Sequence, residues 1–414
     1  MHPTAMKYFC FIYMIGLTSP GFAQEAQTIR PALDTITVAF DLYELPYVHR
    51  QTAIDTSREG YQSLYAGNYL SFSGFAEAAT ESFEANMPVM EMDTQRYTDF
   101  QRDYEPTPAV EAILEDAENH EIVIINEAHH EPRHRVFTRS LLQGLYDRGY
   151  RHFGLETMVH YPGSDSAFAE MDYPTLGSGY YTREPNFSAM VAEAQAIGFR
   201  IFSYEAVGTD GPKMRELGQM RNIMAYRSRY PDGKLLLHVG YSHAMEGILG
   251  GAWEKALAQR LADTTGLDPL TIDQTLYREM ADSTKEQFEY RHAVLDSVSV
   301  FKNAAGKVWS AGRSERGYDL HVFHPRTVYR HGRPDYVFTF GRKPVYLDLS
   351  GIDLEGPYLL QAYAVDDDMR EAVPRDVIET SGEDERALAL APGRYRVLVI
   401  SPAREQRVAE ITVE

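Results

Sequence analysis

Residues 125–135, "INEAHHEPRHR", hold three histidines, two glutamates and two arginines in eleven positions. They follow "EIVI", an apolar run of the kind that forms a buried strand. A neutral histidine can take a proton from water and make it nucleophilic. A carboxylate on its other ring nitrogen fixes the tautomer and stabilises the imidazolium that forms. Arginine can hold a developing oxyanion or a substrate carboxylate. The same side chains could instead ligate a divalent metal with a position open for water. The plainer alternative is a solvated loop that leads into a charged helix start. Residue types alone leave all three readings open.

Three further apolar runs end in ionisable residues. "RHFGLE" closes on Glu156, "FRIFSYE" on Glu205 and "KLLLHVGYSH" on His243. Amphipathic stretches precede and separate these runs: "AVEAILEDAENH", "HRVFTRSLLQGLYDRGY", "FSAMVAEAQAIG" with Gly198 as its stop, and "KMRELGQMRNIMAYRSRY". This alternation predicts an α/β fold with a mostly parallel sheet and covering helices. "LTIDQT" and "DLHVFHP" are expected to add strands. With right-handed crossovers all strands point one way, so their carboxyl ends share the edge where α/β proteins place ligands. The candidate catalytic set is therefore Glu127, His129 or His130, His134, Arg135, Glu156, Glu205 and His243. The first histidine is the expected base, Glu127 and Glu156 its orienters, and Arg135 an anion clamp. Glu127, His129, Glu156 and His243 form the candidate metal set. Tyr180 and Tyr181, in the loop "LGSGYYTREPNF", are expected to cover the site. His238 alternates with Leu237 and reads as a core histidine, while His152 and His160 read as ordinary strand or loop residues.

The flanks read differently. Residues 1–23 are expected to be a signal peptide cleaved after Ala23, with the single cysteine, Cys10, inside it. The remaining chain would then lack thiolate catalysis, disulfides and cysteine metal sites, which suits an exported bacterial protein. Residues 24–105 are expected to be helical, with two helices about the "GNY" turn at 67–69 and a junction at "YEPTP". The α/β core would span 106–341. From 342 to 414 short alternating strands between turn residues predict an antiparallel β-sandwich in an accessory role. The formal charge is −20, from 40 basic and 60 acidic residues, and loss of Lys7 with the leader makes it −21. That balance repels phosphate backbones and argues against nucleic-acid binding. No later apolar run is long enough to span a bilayer. The expectation is a periplasmic or secreted protein acting on a small-molecule or peptide substrate.

Several segments together resemble the erythromycin-esterase and ChaN-like superfamily: "NEAHHEPRHR", "GLETM", "RELGQMRNIMAYR" and "KLLLHVGYSHA", in that order and spacing. Those families open with a Gly-Glu-x-x-His or Gly-Glu-x-His turn. Here Asn126 replaces the glycine, Glu127 matches the acid, and the histidine is His129 or His130 by the two spacings. Pro132 and His134 match the ChaN-like continuation. Glu156 matches the second acidic strand end, and Arg215, Glu216 and Asn222 match a helical motif in which Met220 is one place off. His243 matches the late histidine, and the additional esterase histidine falls on Gly240. The resemblance spans about residues 120–255. It implies a histidine-activated-water hydrolase by its esterase side, a haem-binding protein by its ChaN-like side, and a metal-dependent protease by its Tiki-type relatives. The implied cofactor is a divalent metal or haem. Burying a haem ring against three carboxylates would cost several kcal/mol per desolvated ion, which argues against haem.

"GYSHA" carries a rival reading. Gly240-x-Ser242-x-Ala244 after a strand resembles a nucleophile elbow with alanine for the last glycine. Ser242 would attack a carbonyl, with His292, His321 or His324 as its base.

Overall fold

Strands with apolar side chains on both faces need cover on both sides, and this need organises the molecule. The computed structural model describes residues 25–34, 46–57, 63–85, 87–91, 93–309, 317–382 and 386–414. The expected signal peptide, its cleavage point and Cys10 lie outside them. The central sheet contains β1 (Ile122–Glu127), β2 (Tyr150–Leu155), β3 (Arg200–Ser203), β4 (Lys234–Gly240), β5 (Leu270–Asp273) and β6 (Leu320–His321). Its order is β6-β5-β1-β4-β2-β3, and every neighbouring pair is parallel. The covering helices are α1 (Ala109–Ala117), α2 (Pro132–Asp147), α3 (Pro185–Ile197), α4 (Pro212–Arg229) and α5 (Leu257–Thr265). The expected parallel sheet is present, and "LTIDQT" and "DLHVFHP" supply its two further strands, β5 and β6.

Alternation along β1 sorts its side chains. Val123 and Ile125 pack with Ala112, Leu141, Leu145 and Val191 of α1, α2 and α3. Ile122 and Ile124 pack on the other face with Ile223 of α4 and Leu257 of α5. Each such buried aliphatic side chain contributes about 1.5–3 kcal/mol relative to an exposed one. Proline begins α2, α3 and α4, where its missing N–H costs no helical bond. Gly198 ends α3 in the left-handed conformation, φ +117°.

The strand order matters for the site. β4 lies between β1 and β2, with Glu127 opposite Gly240 and Leu155 opposite His238. Three strand ends are therefore immediate neighbours on one edge. Close packing demands a glycine within this group of strands. A Cβ on Gly154 would lie 2.5 Å from Phe202 Cζ and 2.7 Å from Leu237 Cδ2.

The flanks depart from the sequence expectation. The segment expected to be helical from residue 24 instead opens with two short strands. Gln27–Ile29 pairs with Lys343–Leu347, and Leu33–Asp34 pairs with residues 408–409. "GNY" is not a turn but lies inside the helix Ser63–Phe72; the chain reverses at Gly74, φ +80°, before the helix Ala76–Glu84. The reason is packing, since Gly67 lets the ring of Phe83 approach so closely that a Cβ there would sit 2.9 Å from it. "YEPTP" is a strand, Tyr104–Pro108, antiparallel to Ser299–Asn303. In the C-terminal region Asp376–Thr380, Tyr358–Ala364, Gly393–Ile400 and Gln406–Val413 form successive antiparallel pairs. Lys343–Leu347 pairs with Leu388–Leu390, and Val345 and Leu388 share an apolar cluster with Leu360 and Val397. Among the described residues no helix is long and apolar enough to cross a membrane.

Replacing Gly154 by alanine forces a methyl group against Phe202 and Leu237. The expected result is a loss of about 1–3 kcal/mol in the free energy of unfolding, read from urea melts. An unchanged midpoint would mean that the two side chains move aside at no cost.

Candidate active site

The edge carrying the ends of β1, β2, β3 and β4 opens into a cavity of about 380 Å³. Glu127, His129, Glu156, Glu205, Arg215 and His243 all line it. The expected convergence of four strand ends is thus what the fold produces. His130, His134 and Arg135 do not line the cavity.

Glu127, the last residue of β1, orients His129. Its Oε1 accepts from His129 Nδ1 at 3.1 Å, while Arg135 Nε donates to Oε2 at 2.7 Å and Arg135 Nη2 to Oε1 at 3.1 Å. Burial opposes ionisation of Glu127, but Arg135 and His238 outweigh it and hold the carboxyl down at about 2. With Nδ1 committed, His129 has Nε2 as its remaining ring nitrogen. The ring stacks on Tyr181, centroids 3.9 Å apart, so Tyr181 covers it as expected of that loop. The ring lies over Gly240, where a Cβ would sit 2.6 Å from Nε2 and 2.3 Å from Cε1. Gly240, the position matched by the additional esterase histidine, is therefore the space His129 occupies. The same point is 3.4 Å from Glu156 Oε2.

Glu156 and Glu205 converge on a guanidinium. Arg215 Nη2 reaches Glu156 Oε1, and Nη2 and Nε hold Glu205 at 2.5 and 3.0 Å. Gly240 N also donates to Glu156 Oε2 at 2.5 Å, and Gln219 and the Ala206 amide donate to Glu205 Oε1. Although burial opposes ionisation of Glu156, His243 and Arg215 hold its carboxyl far below the usual range. His243 sits between carboxylates, with Nε2 3.1 Å from Glu156 Oε1 and Nδ1 2.7 Å from Glu216 Oε1. Burial disfavours its charge, yet Glu156 and Glu216 raise it to about 10. Arg215 Nη1 also lies 2.9 Å from His243 Nε2, a contact that as a hydrogen bond would need a neutral ring. Two flanking carboxylates in a buried setting decide for the imidazolium; Arg215 then makes no hydrogen bond to the ring, and Glu156 Oε1, which both cations face, offsets their repulsion. Trp253 closes this end, its ring 5.1 Å from His243.

Three expectations need correction. Arg135 is not an anion clamp: it is fully buried, and its donors are taken by Glu127, by Glu184 at 3.1 Å and by the His129 carbonyl at 2.7 Å. His130 points behind the edge, stacked on Phe83 at 4.0 Å and held by Tyr241 Oη at 3.3 Å. Burial, followed by Arg278, keeps it neutral. Its neighbour His129 is the ring at the cavity. His134 accepts from the Ala128 amide at 2.9 Å through Nδ1, closing the turn after β1, and burial also keeps it neutral. The metal set does not fit a cation either. Each cavity carboxylate already faces a guanidinium, and among the described residues no three His, Cys, Asp or Glu side chains are placed to hold a metal ion. His238 is a core histidine as expected, its pKa pushed down to about 4 by burial against the opposing pull of Glu127, but one edge of it also lines the cavity.

The serine reading loses its base. Ser242 lines the cavity in a 3-10 turn, Tyr241–Ala244. His321 pairs with Asp273 at 3.0 Å, His324 with Gln274 at 3.1 Å, and His292 packs against Phe288; none of the three lines the cavity. Arg215, Glu216 and Trp253 were absent from the expected set. "RELGQMRN" contains the first two, but only the approach of α4 to β4 gives them a partner. Asn126, standing where the resembling families have glycine, braces the edge: Nδ2 donates to Asp273 Oδ1 at 2.7 Å and to the Tyr241 carbonyl at 2.9 Å.

No family model and no curated protein matches the chain. Among solved structures, one described as the type III effector HopBA1 is 14% identical over 42% of this chain and 87% of its own, with a TM-score of 0.28. Another, described under bacterial protein toxins, is 17% identical over 54% of this chain and 46% of its own, with a TM-score of 0.30.

The two raised and lowered groups give opposite pH dependences. Glu127 stabilises the fold above its unfolded value near 4.5, and that stabilisation is lost as pH falls through about 2. His243 stabilises it below its unfolded value near 6.5, and that is lost as pH rises through about 10. In imidazole ¹⁵N spectra His243 is therefore expected to remain protonated at pH 8, and Glu216→Gln to lower its midpoint by about one unit or more. A His243 that titrates near 6.5 in the parent protein would contradict the two-carboxylate assignment.

Proposed function

We propose that the chain is an exported hydrolase of the erythromycin-esterase and ChaN-like type, in which His129 activates water against an ester or amide carbonyl. One observation carries the reading: a histidine with one nitrogen committed to a buried carboxylate and its ring at a cavity that also contains a guanidinium and an imidazolium. His129 Nε2 takes a proton from water as the oxygen attacks the carbonyl carbon. Glu127 stabilises the resulting imidazolium. The tetrahedral oxyanion draws on Arg215, whose Nη1 faces no carboxylate among the described residues and whose charge is fixed before the reaction begins. The imidazolium of His129 then returns its proton to the departing oxygen or nitrogen, and the carbonyl re-forms. Tyr181 and Trp253 shield the cavity and limit bulk water. The opposed environments of the two histidines, one able to accept a proton and one held charged, suit His129 and not His243 as the base. The C-terminal region is read as a β-sandwich in an accessory role, and the site of action as the periplasm or the exterior.

The charged lining speaks against the haem alternative, because a macrocycle would desolvate Glu156 and Glu205. The experiment is a screen of nitrophenyl esters and anilides followed by variants on the best substrate. His129→Gln is expected to lower kcat by about 10²–10⁴-fold, and Ser242→Ala to leave most activity. The reverse pattern would establish the serine reading. Stoichiometric haemin uptake with a Soret shift, in the absence of any hydrolysis, would replace the enzyme reading by a carrier.

A further inference from the structure

We propose that a second pocket, behind the first turn of α2, binds an organic cation, a primary ammonium or guanidinium group, with Glu131 as its counter-ion. The pocket holds about 170 Å³ and shares no lining residue with the active-site cavity. The helix Ala76–Glu84, the start of α2, residues 279–281 and residues from 327 to 336 enclose it.

Glu131 is the reason to expect a ligand. It is only 9% exposed and it lines the pocket. It stands at the N-cap of α2, yet its side chain caps no amide there. Among the described residues its carboxylate has no hydrogen bond and no ion pair. The side chain is largely buried while its oxygens open to the pocket, and a carboxylate so far removed from bulk water normally has a partner. The nearby guanidinium groups each hydrogen-bond to another acid and not to Glu131. Arg133 donates to Glu279 at 3.1 Å and to the Pro325 carbonyl at 2.8 Å, and Arg278 donates to Glu84 at 2.7 Å. Glu77, exposed on the pocket rim, adds a second acid that pairs with no guanidinium among the described residues. The excess charge facing the pocket is therefore negative.

The chemistry favours an organic cation over a metal ion. The described residues contain no three-ligand metal group, so a bare dication would find too few oxygen ligands here. An ammonium needs one carboxylate, a few oxygen acceptors and an aromatic face. Glu131, the Thr80 hydroxyl and the half-exposed Tyr329 ring supply these. The volume suits a single amine-bearing chain, such as a lysine side chain or a short diamine.

The test uses thermal unfolding of the full chain with 1,4-diaminobutane, against 1,4-butanediol and calcium chloride at matched ionic strength. The diamine is expected to raise Tm by about 1–3 °C once its concentration exceeds Kd several-fold, with no rise from the diol or calcium. Glu131→Gln is expected to fold, to melt no lower than the parent without ligand, and to lose the diamine response. Thr80→Lys, which delivers an ammonium from the pocket wall, is expected to blunt the response while leaving Glu131 in place. A response that persists in Glu131→Gln, a response to calcium alone, or no response at all would overturn the proposal. So would a Glu131→Gln protein that is strongly destabilised, since the protein itself would then be holding the carboxylate. None of these readouts depends on catalysis, so they stand apart from the hydrolase reading.

Discussion

The buried pair of Glu127 and Arg135 is the contact on which the candidate site depends. Both side chains are removed from water, and Arg135 is entirely so. Breaking such a pair by removing one partner costs about 3–5 kcal/mol, because the other charge is left uncompensated. Arg135 uses its planar fork to join three pieces of chain: the end of β1 through Glu127, the turn through the His129 carbonyl, and the start of α3 through Glu184. Glu184 in turn caps α3 by accepting from the amides of Asn186 and Phe187. The side chain that faces the cavity, His129, is thus set by one that never reaches it.

Charge is handled the same way along the rest of the edge. Glu156, Glu205 and Glu216 would repel one another if left alone. Arg215 and His243 are placed among them, so that each carboxylate faces a cation within about 3 Å. Buried charges survive only when paired in this manner. The consequence is a cavity with fixed charges and little freedom to reorganise, which is the condition under which electrostatic stabilisation is effective. The ion pairs that make the edge stable are also those that occupy the oxygens a metal would need.

The flanking segments reinforce this edge from behind. Phe83 of the helix Ala76–Glu84 stacks on His130, whose ring meets Tyr241, and Tyr241 presents its edge to His129 at 5.0 Å. Tyr241 holds a positive φ of 41°, unusual for a bulky residue, and the Asn126 bond to its carbonyl helps keep it there. From the other side Arg342 donates to Asn186 Oδ1 at 2.7 Å, tying the start of the C-terminal region to the first turn of α3.

What the sequence determined by itself was the local order. Apolar runs, amphipathic stretches, Gly198 and the helix-starting prolines are short-range signals, and they sufficed for the six parallel strands and for the shared edge where Glu127, Glu156, Glu205 and His243 meet. Strand direction follows from connection chemistry, and strand ends follow from direction. The tertiary structure alone decided which neighbour each charged group faces. His129 and His130 are adjacent in the chain, but consecutive side chains after a strand point to opposite sides. Only the packing of Phe83 and Tyr181 shows which ring is buried and which lines the cavity. Arg135 and Arg215 look equivalent as residue types, and only burial separates a brace from a cavity cation. The turn misplaced at "GNY" has the same cause: a glycine reads as a chain reversal until the Phe83 ring that needs its space is known. Interactions between residues far apart in sequence carry no periodicity to read, so partner, burial and charge state emerged only with the fold.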